Sequence, residues 1–480
     1  MKTAQEYVDS LRTLNPRIFL GGRQVNLLEN PVTMTVVRAN ARVYELSLEP
    51  EHREVMTAVS PYTGGRVSRC LHVAASTADL EKRAEMALLT SQVLGTCNYR
   101  CVGADVLNAL AGVTWEMDRD LGTEYHRRFL DYLRHLQEND LAVSGAVTDA
   151  KGDRSKRPAQ QPDPDVYVHV AEKRPDGIVV RGAKVSQSGA IAAHETVVIP
   201  TMGMREGEED FAVAFAVPNG APGITYICQY NPFSAERELA ADIRYLGNPE
   251  YGQRETCIMV FDDVFVPWER VFVCGETRYS GRLIARFAKT HRMNCGGACK
   301  VGFIDLIIGA AQLAAEYSGV QKVPHIVEKI TDMIRISETC RACTIAAALK
   351  GTEEPAGSGF YLPNDVFGNV AKLTAADGFW EVLKWVGDIA GGMAVTMPSE
   401  EELNNPVSGP YVRKFMGASA PAELRLRLAK FVQNWCAGLH GAGTWHGAGS
   451  PQAQKMVLYA LTDLEEKKRL AKNLAGIRDG

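Results

Sequence analysis

The apolar positions of this chain change period twice along its length. From about Thr3 to Asn139 they recur at helical spacing. The stretch Thr77 to Leu94 is representative, with Thr77 placed to cap and Leu80, Ala84, Ala87, Leu88 and Gln92 falling roughly on one face. From about Leu141 to Val273 the pattern breaks into short β-rich runs with turns between them. These are Val166 to Val170, Gly177 to Val180 after the Pro175-Asp176-Gly177 turn, Thr196 to Pro200, Phe211 to Val217, and Ile258 to Val266. From about Tyr279 to Ile477 long helical patterns return, interrupted near Gly351 to Pro363, Gly391 to Val407 and Leu439 to Pro451.

This order predicts an N-terminal helical domain over residues 1–140, a central β domain over 141–275 and a C-terminal helical bundle over 276–480. Helices and strands are segregated rather than alternating. The expected class is therefore α+β, a helical bundle with an inserted β barrel, and not a doubly wound sheet. The chain carries no GxGxxG, no P-loop and no internal repeat, so a flavin, if bound, is held without a Rossmann fingerprint.

Composition narrows the function. With 46% hydrophobic and 23% charged residues, the 480-residue chain can bury a large core. A net charge of −4 gives no general field for nucleic acid or an anionic membrane, so an anionic substrate has to be met by a local basic cluster. The chain begins Thr3-Ala4-Gln5-Glu6, a helix start, and no run approaches ~18 uninterrupted apolar residues, so a cytoplasmic location without membrane contact is expected. Eleven cysteines are too few for a disulfide scaffold in a chain this long, and their number is odd, which predicts reduced thiols.

Most of those thiols are packing residues, but two groups stand out. Cys97 and Cys101 are four apart, so on a helix both would project from one face; on its own such a pair more often fills a core. His291, Cys295 and Cys299 form a stripe at i, i+4 and i+8, with small residues alongside that would leave room for something bulky. Cys340 and Cys343 have CxxC spacing in an apolar helical pattern without a nearby histidine and read as buried thiols.

Together with Lys300-Val301-Gly302 and the run from His446 to Gln454, these residues resemble the motifs of the 4-hydroxybutyryl-CoA dehydratase/vinylacetyl-CoA isomerase family, within the 4-hydroxyphenylacetate 3-hydroxylase superfamily. The likeness spans nearly the whole chain. It implies an acyl-CoA dehydrogenase-like fold, bound FAD, and a [4Fe-4S] cluster held by Cys97, Cys101, His291 and Cys299. A histidine ligand leaves one iron able to accept a substrate oxygen. The resemblance also implies cofactor contacts from Lys151 and Arg154 in the Lys151-Gly152-Asp153-Arg154 loop, from Gln187 and Ser188, and from Gly447, Ala448 and Gly449. Without it, the basic run reads as a solvated loop and the glycine-rich segment as a tight turn.

The activity so implied is a radical dehydration of a hydroxyacyl-CoA such as 4-hydroxybutyryl-CoA. A base removes the acidic proton beside the thioester, FAD takes one electron, and the enoxy radical acidifies the β C–H. His291 accepts that proton while iron binds the departing hydroxyl. Glu255 and Tyr99 assist proton transfer, Lys300 positions the carbonyl region, and vinylacetyl-type isomerisation uses the same site. A homotetramer built as a dimer of dimers is expected.

The chain departs from the family pattern in several places. The cluster histidine and cysteine are one residue further apart here, so either a helical bulge absorbs the extra residue or Cys295 replaces Cys299; the following Lys300-Val301-Gly302 favours Cys299. Cys295 stands where the family has an active-site tyrosine, Gly443 where it has a glutamate, and Tyr99 where it has a glutamine. Tyr99 is a candidate to supply the missing phenol. The rival readings are an FADH2-dependent aromatic monooxygenase of the same fold and an iron–sulfur flavoprotein carrier or sensor.

Overall fold

The computed structural model describes residues 1–229 and 247–477. Six helices dominate the N-terminal region: Ala4–Leu11, Pro31–Leu48, Arg53–Met56, Thr77–Leu94, Cys101–Leu121 and Tyr125–Glu138 (α1 to α6). Their starts are written in local chemistry. Thr3 and Glu6 form a capping box at α1, the Glu6 carboxylate accepting the Thr3 N–H at 2.7 Å. Helix α4 begins at Thr77, but its cap is Ser76, whose hydroxyl accepts the Asp79 N–H at 3.1 Å; Thr77 is already inside the first turn.

Short strands interrupt this helical region. Arg17–Leu20 and Arg23–Val25 (β1, β2) and Thr57–Val59 and Arg66–Ser68 (β3, β4) each pair antiparallel. β1 also runs parallel to a strand far along the chain, so the N-terminal segment completes the edge of the central sheet.

The β region supplies Val143–Ala146, His169–Arg174, Gly177–Ser188, Glu195–Val198, Val213–Pro218, Ile224–Cys228, Thr256–Pro267 and Val271–Cys274 (β5 to β12). They form a six-stranded sheet in the order β2-β1-β10-β11-β7-β6 and a four-stranded sheet in the order β12-β9-β8-β5. The two sheets pack face to face, as Phe215 of β9 meeting Phe261 of β11 edge-on at 5.8 Å shows. The expected barrel takes this two-sheet form. β11 alternates Cys257, Met259 and Phe261 inward, then bulges between Phe261 and Val264, which returns Val264 and Val266 to the core. The run expected from Val166 starts late, at His169, because Pro164–Val166 closes a 3-10 turn capped by Asp163.

The C-terminal region consists of Thr277–His291, Cys299–Ser318, Pro324–Leu349, Asp365–Ala390, Met393–Thr396, Gly409–Met416, Ala422–Ala437, Leu439–His446, Pro451–Leu461 and Leu464–Ala475 (α7 to α16). α7 and α8 join through a π-helical segment, Arg292–Ala298, into one continuous helix. Part of that helix is long and apolar enough to cross a membrane, but 61% of the window concerned is buried among other helices, the position of a bundle core helix. α8, α10 and α13 meet around Phe303, Phe379 and Trp435.

Candidate functional site

Cys97 and Cys101 do not share a helix. Gly95, in the left-handed region, ends α4, so Cys97 lies on the connecting loop and Cys101 is the first residue of α5. The loop backbone performs the positioning expected of a helix face. Asn98 Oδ1 accepts the N–H groups of Arg100 and Cys101, each at 3.1 Å, and the Tyr99 N–H points at Cys97 Sγ at 3.3 Å. Tyr99 itself has φ of 60°, a strained value held by tight packing. Its side chain is 3% exposed and lies against Gly189 so closely that a Cβ there would come within 2.3 Å of it. The Tyr99 hydroxyl accepts the N–H of buried Glu255 at 3.2 Å. Two of the expected proton-transfer residues therefore adjoin behind the first cysteine pair.

The extra residue between His291 and Cys299 is absorbed by the π-helical segment, in which the Cys299 N–H donates to Asn294 O, five residues back. Its small residues leave no space for a bulky group, contrary to expectation. A Cβ at Gly296 would lie 2.9 Å from Lys372 Cβ, and one at Gly297 would lie 2.3 Å from Thr344 Oγ1, so the glycines admit neighbouring helices. A ring nitrogen of His291 and the Sγ atoms of Cys101 and Cys295 all lie within 4.8 Å of one another. Cys97 lies outside this group and packs against the apolar cluster that includes Tyr99 and Cys257. Cys299 lies outside the tight group and packs against the cluster around Phe303 and Trp435.

His291 is oriented from behind by Asp105, a fully buried residue whose Oδ2 lies 2.8 Å from His291 Nδ1. Arg83 and Asn294 donate to the other Asp105 oxygen at 2.7 and 2.9 Å. With Nδ1–H committed to the carboxylate, Nε2 is left as a donor to a metal or a base for a proton. Asp105 escaped the sequence analysis, although its position four residues after Cys101 carries the helical spacing that could have found it.

Charges are concentrated around these thiols. Contact with Cys101, together with the Lys300 and His291 cations, overcomes burial and brings Cys295 well below the ordinary thiol range. Cys97 falls to about 7 through its contact with Cys101. Burial pushes Cys299 up to about 12. Lys300, 2% exposed, is raised despite burial because Cys295 and Cys299 outweigh it, and its ammonium donates to Cys295 Sγ at 3.9 Å.

Two further cations were not foreseen. Arg254 donates twice to Ser188 Oγ, at 2.9 and 3.2 Å, and once to Gly443 O at 3.1 Å. A side chain at 443 would begin 2.9 Å from its guanidinium, so Arg254 fills the space beside Gly443. Lys372 on α10 donates to the carbonyls of Thr444 and Trp445 at 3.2 and 2.9 Å, tying α14 to the π-helical segment. The glycine-rich loop follows directly, and a methyl on Gly447 would sit 3.6 Å from Lys300 Nζ. Ala448 and Gly449 continue that loop with φ of 65° and 94°.

Ser188, Gly447, Lys300, His291, Tyr99, Glu255, Cys97 and Cys101 thus lie in one neighbourhood, bridged by Arg254 and Cys295. Lys151 and Arg154 lie apart from this network on a largely exposed loop, whose contacts include the Tyr167 hydroxyl to Lys151 O and Arg157 to Glu208. The Gln187 amide is spent on Val185 O at 2.6 Å. Cys340 is buried on α9 and donates to Ala371 O, a packing thiol as expected.

Family models for the N-terminal and C-terminal parts of 4-hydroxyphenylacetate 3-hydroxylase match residues 3–273 and 280–476. The 4-hydroxybutyryl-CoA dehydratase/vinylacetyl-CoA-Δ-isomerase of Clostridium aminobutyricum is 40% identical, with both chains covered in full. The chain belongs to this dehydratase/isomerase family. It is an enzyme fold throughout: an oxygen-tolerant archaeal 4-hydroxybutyryl-CoA dehydratase from N. maritimus superposes with a TM-score of 0.96 at 36% identity, covering 100% of this chain and 96% of the other. The 4-hydroxyphenylacetate 3-monooxygenase oxygenase component of Thermus thermophilus is more distant, at 29% identity over 92% of this chain and 89% of its own. A structure of such an oxygenase component complexed with FAD has a TM-score of 0.85 at 26% identity, covering 99% and 98% of the two chains.

Proposed function

We propose that this enzyme is a hydro-lyase removing water from a hydroxyacyl-CoA, 4-hydroxybutyryl-CoA being the first candidate, with FAD and a [4Fe-4S] cluster as cofactors. The observation that carries this reading is the close group of half-buried Cys101, buried Cys295 and a carboxylate-held His291, with half-buried Cys97 nearby, beside the cations Lys300 and Arg254.

The donor set fits the cluster. Soft thiolates with one imidazole suit iron–sulfur chemistry, and the flanking cations balance the negative charge such a centre brings. Cys97, Cys101, His291 and a third thiol from the 295–299 segment would hold it. Ser188 and the Gly447–Gly449 loop, brought together through Arg254 and Lys300, would flank the flavin, with Gln187, Lys151 and Arg154 toward its outer parts. When bound, the flavin supplies one-electron exchange and the cluster a Lewis-acidic iron. The chain's own residues do the remaining work. Lys300 Nζ holds the thioester carbonyl, and His291, whose Nδ1–H is committed to Asp105, has Nε2 alone for both of its roles, so it would take the β proton only once that nitrogen is free of the metal. The Tyr99 hydroxyl and Glu255 carry the other proton. Arg254, beside the Gly443 that stands where the family has a glutamate, alters the proton-transfer partners and leaves room for a substrate differing from that of the relatives.

The enzyme is proposed to work in the cytoplasm as a homotetramer. Self-association is supported by apolar side chains that stand exposed on the C-terminal helices, among them Tyr411, Phe415, Met456, Tyr459 and Leu474.

The test is iron, sulfide and flavin content with a visible spectrum on protein purified without oxygen, followed by chromatographic assay of 4-hydroxybutyryl-CoA dehydration. Iron and sulfide near four per chain together with FAD, and loss of water from the thioester, are expected. Flavin without iron would replace this reading by the monooxygenase one. Both cofactors without turnover of any hydroxyacyl-CoA would leave a carrier or sensor.

A further inference from the structure

Two cations of this site border one spot, and among the described residues no carboxylate pairs with either. A Cβ on Gly447 would lie 3.6 Å from Lys300 Nζ and 3.8 Å from Arg254 Nη1, so both nitrogens line the same space beside the glycine-rich loop. Gly443, one turn earlier, makes this approach possible, because a side chain there would begin 2.9 Å from the Arg254 guanidinium. The last turn of α14 thus presents bare backbone to both charges, with the Gly447 N–H closing on Gly443 O at 2.8 Å.

Each cation is fixed in place and has donors to spare. Arg254 is held from β7 by Ser188 Oγ, through Nε at 3.2 Å and Nη2 at 2.9 Å, and from α14 by Gly443 O, through Nη1 at 3.1 Å. A guanidinium carries two N–H groups on each terminal nitrogen, so one on Nη1 and one on Nη2 remain. Lys300, 2% exposed, has the Cys295 sulfur at 3.9 Å as its acceptor and the Phe303 ring at 5.4 Å, which leaves N–H groups of a buried ammonium unused. The titratable groups around the pair are the thiols of Cys97, Cys101, Cys295 and Cys299, the Tyr99 hydroxyl and the Lys372 ammonium, which repels both. Burial weighs most heavily on both charges and is outweighed by the thiols, so each pKa lies above its ordinary value and both cations are present together. Like charges held this close favour an anion between them.

We propose that Lys300 and Arg254 form a two-cation seat for an anionic oxygen beside Gly447, and that its ligand in the reaction is the enolate oxygen of the acyl thioester. The identity of that ligand rests on the acyl-CoA reading above; the seat itself does not. When the proton beside the thioester leaves, its electron pair moves onto the carbonyl oxygen, and the two fixed cations meet that charge without reorganising. Their hold is stronger on the enolate than on the neutral carbonyl, which is the condition for lowering a barrier rather than merely binding substrate. Arg254 thereby joins Lys300 as a catalytic residue.

The test uses the full-length, anaerobically purified protein and two probes. Calorimetric titration first compares butyrate with butyramide, its neutral isostere. The parent is expected to bind butyrate at least about tenfold more tightly, and Arg254→Gln and Lys300→Gln each to lose about tenfold for butyrate with butyramide unchanged. Arg254→Lys keeps the charge and should keep most of the preference, and Arg254→Met repeats the comparison if Arg254→Gln does not fold. The second probe is acetoacetyl-CoA, whose enolate is read by its ultraviolet band while the proton it loses passes to buffer. The pKa of the bound thioester should lie at least about one unit below that of the free one in the parent, and Arg254→Gln should return most of that shift. An Arg254 that only braces the fold would lower the melting temperature and move neither readout. A parent that binds butyrate no more tightly than butyramide, or an Arg254→Gln variant that keeps the parent's preference, overturns the seat. A butyrate preference lost in both cation variants, in a protein that binds no acetoacetyl-CoA, would support the seat and defeat the acyl-CoA reading.

Discussion

Two regions of this molecule bury the same side chains and treat them oppositely. Lys184 in the β region and Lys300 in the helical bundle are 1% and 2% exposed, and burial works against the charge of each. Lys184 is fully answered by fixed partners, Asp149 at 2.8 Å and the carbonyls of Val147 and Ile199, yet its pKa stays below the ordinary value. Lys300 faces thiols, and its pKa is raised. The histidines repeat the contrast. His194 is pushed down to about 3, burial being the largest cause, while His291 is drawn up to about 10, Cys295 and Asp105 outweighing burial. Burial alone therefore does not mark a working residue. What distinguishes the site is buried donors and acceptors turned toward one another instead of toward the backbone.

The sharpest break of that comparison is at Lys184. Replacing it with Met leaves Asp149 buried without its cation, and the loss of one partner of a buried pair costs about 3–5 kcal/mol. Urea unfolding should show that drop in Lys184→Met and recover most of it in the double variant Lys184→Met with Asp149→Leu. If the single variant unfolds at the parent's urea concentration, Lys184 is not the tie between β5, β7 and β8 that its three acceptors indicate.

At Lys300 the effect should move from stability to chemistry. Lys300→Gln removes the cation over Cys295 without orphaning a carboxylate, so the melting temperature should shift by only a few degrees while dehydration slows about 100-fold or more. The reverse outcome, a strongly destabilised protein with unaltered turnover, would place Lys300 in the same structural class as Lys184.

This contrast was only partly legible in the sequence. Periodicity located the α, β, α succession because long amphipathic helices and alternating strands repeat their signal many times. It missed β1 and β2, short strands that form only because β10 lies beside β1 and β2 pairs with β1. Cys97, Cys101 and His291 stood out as residue types with metal-binding spacing, although the geometry behind Cys97 and Cys101 is a capped loop and not a helix face. Arg254 and Lys372 could not be found by spacing. Their partners, Ser188, Gly443, Thr444 and Trp445, are distant in sequence and meet them only in the fold. The π-helical turn was foreseen as one of two alternatives, the one in which it absorbs the extra residue before Cys299, but its packing, with Gly296 and Gly297 backed onto Lys372 and Thr344, could not be read from spacing.

The smallest predicted effect separates the histidines by pH. His194 Nδ1 accepts the Ala142 N–H at 2.8 Å and Nε2 lies 2.7 Å from Ser10 Oγ, so the ring is held neutral between α1 and the edge of β8. Its pKa falls from the ordinary 6.5 to about 3 in the folded chain. Below pH 6.5 the unfolded chain takes up a proton that the folded chain refuses. His194 therefore costs no stability above that pH, and it removes stability progressively as the pH falls toward 3, at up to about 1.4 kcal/mol per unit. His194→Asn keeps an acceptor for the Ala142 N–H but does not titrate. Urea unfolding between about pH 7.5 and about pH 5 should show a variant somewhat weaker than the parent at the upper end and less acid-sensitive at the lower, so that the two curves converge. Parallel curves would mean that His194 titrates alike in the folded and unfolded chains, and the opposition between the two buried histidines would then be lost.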